Sequence, residues 1–167
     1  MEMRGSREIA APRARVWEAL IDPGVLRACV PGCESMTGSV DAGFEARVQQ
    51  RIGPVGASFE GRVELEDVVP GESYTLVCSG KGANAGRARG GAEVTLSETE
   101  TGGTRLDYTV TARVEGRLAQ LGTRLIETFA KKMADRFFAS FQAVVEGTPA
   151  PAPARGWFSR VLGREEG

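Results

Sequence analysis

The stretch from Arg117 to Val145 constrains this chain more than any other. Leu118, Leu121, Leu125, Phe129, Met133, Phe137, Phe141 and Val144 recur at intervals of three or four, and Ile126 and Val145 widen the same stripe. Arg117, Arg124, Glu127, Lys131, Lys132, Asp135 and Arg136 occupy the other side. The spacing predicts one amphipathic helix, ~40 Å long at ~1.5 Å per residue, that must bury its apolar face against something. Gly122 falls on that face, where glycine costs roughly 1 kcal/mol relative to alanine and keeps the helix thin.

No other segment reads as a long helix, so the partner surface must be sheet. Gly5 to Ala10 reads as a first strand, broken at Pro12. Two short helices follow: Pro12 to Leu20, burying Val16, Trp17 and Leu20, and a second opened by Asp22-Pro23 and stopped by Pro31-Gly32. From Glu34 the period changes to two. Strands are expected near Ser35 to Val40, then over Phe44 to Ile52, Val55 to Glu66, Tyr74 to Cys78, Ala88 to Leu96 and Thr104 to Val114. Gly53-Pro54, Pro70-Gly71 and Gly102-Gly103 mark short turns, which make neighbouring strands antiparallel. The expected fold class is α+β: a curved antiparallel sheet of about seven strands wrapped around a long C-terminal helix.

The sequence has 167 residues and is 41% hydrophobic, which suits one core plus a short appendage. A net charge of −1 with dispersed basic residues argues against a nucleic-acid partner. The absence of histidine removes the commonest general base, the usual serine or cysteine activator and the commonest metal ligand. Cys29, Cys33 and Cys78 form an odd set, expected as free buried thiols; no second pair follows Cys29 and Cys33 to complete a zinc site. The start carries no apolar leader, and no stretch approaches the ~20 apolar residues of a spanning helix, so a cytoplasmic protein is expected.

The inward strand faces carry Ala46, Ala57, Gly61, Ala88, Gly90, Ala92 and Ala112, small residues where a core should be filled. They permit two arrangements. Either the helix sits very close to the sheet, or an elongated apolar pocket remains between them. In the second arrangement the lining is Leu26, Ala46, Val48, Phe59, Tyr74, Leu76, Tyr108, Leu118, Leu121, Gly122, Leu125, Phe129 and Met133, and the ligand is greasy and uncharged. Tyr74, Tyr108 and Gln50 are the candidates to orient a carbonyl or hydroxyl, and Gly122→Leu is expected to fill the pocket. The glycine-rich run Gly80 to Gly86 fits neither dinucleotide nor P-loop spacing and is expected as a hairpin loop at the pocket mouth.

Composition divides the chain into a domain over 1–147, a Pro/Ala-rich spacer over 148–154 and a tail over 155–167. In the tail Trp157, Phe158, Val161 and Leu162 share one helical face, flanked by Arg155 and Arg160. Four such side chains at roughly 1.5 to 3 kcal/mol each, with arginines at about 1 kcal/mol each near anionic lipid, must offset the ordering of the segment. Weak attachment at a membrane interface is the expectation, and a partner protein's groove would suit the same anchors.

Several segments in order resemble one family: Asp22-Pro23 with Leu26, Val30-Pro31-Gly32-Cys33, Ile52-Gly53-Pro54-Val55, Gly103-Thr104-Arg105-Leu106 with Tyr108, Ala119-Gln120-Leu121-Gly122 with Arg124-Leu125-Ile126, and Phe137-Phe138. Together they are similar to the carbon monoxide dehydrogenase G-subunit family, within the helix-grip, START-like superfamily of domains with a deep apolar cavity. The resemblance implies an accessory protein that recruits a molybdenum-containing carbon monoxide dehydrogenase-like oxidoreductase to the inner membrane surface and binds a respiratory quinone, menaquinone or ubiquinone, with no covalent cofactor. It implies peripheral attachment at the cytoplasmic face. An assembly factor for the same enzyme, without ligand carriage, is the alternative. An enzyme is the third possibility, which the missing histidine and the lack of a convergent acid/base pair disfavour.

Overall fold

The protein is described over residues 1–148 by a computed structural model. The period-two segments become β1 (Glu2–Ile9), β2 (Cys33–Ser39), β3 (Gly43–Ile52), β4 (Val55–Val69), β5 (Ser73–Gly82), β6 (Gly86–Glu98) and β7 (Thr104–Glu115). They form one seven-stranded sheet in the order β1-β7-β6-β5-β4-β3-β2, with every neighbouring pair antiparallel. Helices α1 (Arg13–Leu20) and α2 (Pro23–Cys29) fill the connection from β1 to β2. The second begins as its sequence requires. Asp22 caps it by accepting the amides of Gly24 at 2.8 Å and Val25 at 3.3 Å, and Pro23, which has no amide to satisfy, takes the first turn.

The long C-terminal helix is present but starts later than its apolar stripe predicts. Residues Gly116–Leu121 form a 3-10 turn, Gly122 breaks the path at φ 92°, and α3 runs over Thr123–Glu146. The stripe is rephased as a result. A 3-10 turn advances three residues per turn rather than 3.6, so the apolar positions before Gly122 do not predict those after it. Ile126, Phe138, Phe141 and Val145 are buried, whereas Val144 is 41% and Leu125 36% exposed.

α3 draws closest to β1 and β3, towards the two ends of the strand order, and stands off the strands between them. The space is filled unevenly. One core cluster gathers Ile9, Val16, Trp17, Leu20, Leu106, Phe138, Phe141 and Val145; a second holds Ile52, Val55, Ala85, Leu118 and Ile126. The end of α3 is held by Arg15, whose Nε donates to the Val145 carbonyl at 2.7 Å, placing a cation where the helix leaves carbonyls unpaired. Gly147, at φ 75°, closes the helix in the left-handed form. Buried Thr104 donates its hydroxyl to the Ala11 carbonyl at 2.8 Å, tying β7 to the start of α1.

Candidate functional site

Where α3 stands off the sheet, a cavity of about 280 Å³ remains. Strand alternation supplies one wall with Phe44, Val63, Leu65, Tyr74, Leu76, Ala92, Val94, Leu106, Tyr108 and Val110. Leu20, Leu26, Val30 and Met36 close a second side, and Ala134, Phe137 and Phe138 of α3 form the roof. Among the described residues no charged side chain borders it. The aromatic rings are fixed by their neighbours: Tyr74 lies 5.5 Å from Trp17, and Tyr108 stacks on Phe138 at 5.1 Å between centroids.

Tyr74 and Tyr108 supply the polarity. Neither hydroxyl is hydrogen-bonded among the described residues, and that of Tyr108 lies over Gly5 of β1, where a Cβ would collide with it. Burial, with a smaller contribution from nearby Cys78, pushes the Tyr74 hydroxyl well above its ordinary range, so it remains a proton donor.

A second hollow, a cleft of about 240 Å³, lies between the end of β3 and α3. Ile52, Leu125, Phe129 and Met133 make its apolar part, and Gln50, Arg51, Lys132 and Arg136 its rim. Met133 and Arg136 border the cleft while their neighbours Ala134 and Phe137 border the cavity, so the two hollows flank the same turn of α3.

The residues singled out from the sequence therefore divide. Leu26, Tyr74, Leu76 and Tyr108 come together at the cavity, and Leu125, Phe129 and Met133 at the cleft. Leu118 lies inside the second core cluster with Phe59 and Leu121 packed against it. Val48 is half-buried on the inward face of β3 without bordering either hollow, and Ala46 borders a groove on the outer face of the sheet. Gln50 is already engaged, donating Nε2 to the Pro31 carbonyl at 2.5 Å. Val30, Met36 and Ala134 border the cavity without a signal in the sequence, because only the docking of α2 and the phase of α3 bring them there, whereas Phe44 borders it as the alternation of β3 allows.

Gly122 needs a correction. It joins the 3-10 turn to α3 instead of thinning a helix, and a Cβ there would meet nothing within 4 Å. Gly122→Leu is therefore expected to strain the backbone by on the order of 1–3 kcal/mol and leave ligand content per folded molecule unchanged. Thermal unfolding together with native mass spectrometry checks both parts. The hairpin over 82–86 also lies away from the cavity. Arg117 donates to the Asn84 carbonyl at 3.0 Å, the Leu118 amide to that of Ala85 at 3.0 Å, and Ala85 is 1% exposed.

All three cysteines are free, Cys29 buried and the others half-buried. Burial pushes the Cys29 thiol from 9.0 up to about 11 and moves Cys33 and Cys78 the same way. A pKa raised by folding contributes stability that is fully present below the unfolded value and lost as pH rises through the folded one. The urea midpoint is thus expected to fall between pH 9 and 11, and less steeply in Cys29→Ala. A flat profile would contradict it. Among the described residues no three His, Cys, Asp or Glu side chains gather to hold a metal, and no helix is long and apolar enough to cross a membrane.

A conserved protein from Geobacillus kaustophilus has the same fold at a TM-score of 0.82, with 28% identity over 88% of this chain and 96% of that one. A protein from Mycobacterium smegmatis (18% identity, 91% and 93% covered, TM-score 0.65) and one from Thermus thermophilus (18%, 88% and 98%, 0.63) are similar in fold alone. Comparison with curated proteins finds no match. The sheet gripping a C-terminal helix over a hollow is the START-like fold, and the profile of the carbon monoxide dehydrogenase G-subunit (CoxG) family matches residues 5–146, so the chain belongs to that family.

Proposed function

We propose that this protein is a non-catalytic carrier of an isoprenoid quinone, menaquinone or ubiquinone, serving a molybdenum-containing carbon monoxide dehydrogenase-like oxidoreductase at the membrane. Family and fold both support a ligand-binding accessory protein. The observation that carries the reading is the apolar cavity, with no charged residue in its described lining and Tyr74 and Tyr108 at its wall. A quinone ring is flat, apolar and edged by two carbonyls, so its chemistry matches that wall. At about 280 Å³ the cavity lies at the lower end of small-molecule sites, room for the ring system but not for a long polyprenyl chain. The chain would have to continue elsewhere, and the cleft beside Phe129 and Met133 is the nearest apolar continuation. When bound, the quinone supplies the redox chemistry. The protein's part is to exclude water, hold the ring and donate from Tyr74 or Tyr108.

Solvent extraction of the protein purified from its native host, followed by mass spectrometry, is expected to yield a quinone at near-stoichiometric amount. Extraction of none would overturn the reading. The amphipathic segment at Trp157, Phe158, Val161 and Leu162 lies outside the described residues. As the membrane attachment of this carrier, it is expected to be required for flotation with anionic vesicles, and a chain ending at Thr148 should stay in the soluble fraction. Vesicle binding that survives the truncation would favour the assembly-factor role, with the tail docking on a protein.

A further inference from the structure

The outer face of the sheet, opposite the cavity, carries a groove of about 700 Å³ that crosses β2 to β6. Its walls are two cross-strand rows. Ser35, Arg47, Glu60, Lys81 and Arg87 form one, and Thr37, Glu45, Arg62, Ser79 and Arg89 the other. Between them Ala46, Gly61, Gly80 and Ala88 turn their methyls and hydrogens to the inner face, leaving backbone as the floor. Five cations face two carboxylates here, in a chain whose net charge is −1.

The distribution of ion pairs is uneven. Arg47 pairs with Glu60 at 3.1 Å and Arg62 with Glu45 at 3.0 Å, which neutralises the β3–β4 end. At the other end, Lys81 and Arg87 sit directly opposite each other in register and make no ion pair among the described residues. Arg89 opposes Arg113 in the same way and pairs with Glu115 at 3.9 Å. Like charges directly opposite across a strand pair destabilise a sheet. Across their other edges Lys81 faces Glu60 and Arg87 faces Glu115 in register, but Glu60 is engaged by Arg47 and Glu115 by Arg89, so this end of the groove keeps an excess of positive charge and two like-charge contacts that cost the fold.

We infer that this groove docks an acidic, extended segment of a partner protein. Five strands span four intervals of about 4.8 Å, roughly 19 Å, which about six residues of extended chain cover. Ser35, Thr37 and Ser79 add hydroxyls that can bind its backbone or side chains. A flat lipid surface would not follow the groove to its floor; a short peptide can, and can place its acidic residues at the Lys81–Arg89 end alone. Because the groove and the cavity lie on opposite faces, a docked partner would leave the ligand space uncovered.

The test is fluorescence anisotropy of the full chain with a labelled peptide of about ten residues alternating Glu and Ser. A Lys/Ser peptide, a DNA duplex and phosphatidylglycerol vesicles serve as competitors. Binding is expected to weaken as salt rises past the point where the screening length falls below about 8 Å, and to drop about tenfold in Lys81→Glu/Arg87→Glu. Both side chains are exposed, so the fold should persist. The single change Lys81→Glu trades a like-charge pair with Arg87 for one with Glu60, so the unfolding midpoint is expected to stay within a few degrees while the peptide weakens, a combination that a merely structural role would not give. Arg124→Glu, on exposed α3 surface, should leave binding unchanged. No peptide binding, binding indifferent to the Lys81 and Arg87 changes, or preference for DNA or vesicles would each overturn the assignment.

Discussion

Ala134→Phe is expected to empty the protein of its apolar ligand while leaving it folded. Ala134 roofs the cavity from the middle of α3 and packs against the larger core cluster. A phenyl ring in its place projects into a hollow of about 280 Å³ and consumes much of it. In a filled core the same change would cost about 1–3 kcal/mol in overpacking; here the hollow accepts it, and the intrinsic helix penalty stays below about 0.7 kcal/mol. Native mass spectrometry should show bound ligand falling to background, with the unfolding midpoint within a few degrees of the parent. Full ligand occupancy in the variant would place the ligand outside the cavity, with the cleft beside Leu125 and Met133 the next site to test.

Phe141→Ala should produce the opposite pattern, a large loss of stability. Phe141 is fully buried and stacks on Phe137 at 5.6 Å, and it joins α3 to the cluster containing Trp17 and Leu106. Removing a buried ring costs about 3–5 kcal/mol, which in a domain of this size lowers the unfolding midpoint by roughly 10 °C or more. Val144, three residues on and 41% exposed, provides the contrast. Val144→Ala should change stability by less than about 0.5 kcal/mol. Equal effects at the two positions would mean that the helix is rotated from the orientation described.

That contrast marks where sequence reading succeeded and where it stopped. Alternation of side chains determines strand faces directly, so Phe44, Val63 and Leu76 share a face with no further information, and turn residues order the sheet. The helix was equally visible as an apolar stripe. Its phase was not, because Gly122 satisfies helical spacing as well as it satisfies a break, and only its φ of 92° decides between them. The cavity was half legible for a related reason. Tyr74, Leu76 and Tyr108 were found from alternation and Leu26 from the second helix, whereas Ala134 depends on the phase of α3 and Met36 on where α2 folds over the sheet. Small residues at Ala46, Gly61 and Ala88 face inward as alternation requires, yet none of them borders the cavity, and only their backbone meets the groove on the outer face.

The pairing of β1 with β7 also governs how the chain is made. The N-terminal ammonium donates to the carbonyl of Ala112, 111 positions on, and Arg15 waits for carbonyls at Val144 and Val145. During synthesis the sheet cannot be completed until β7 has emerged, nor its greasy face shielded until α3 follows. The nascent protein therefore spends most of its translation with that face uncovered. Chains stopped short of Phe141 should be clients of chaperones and proteases.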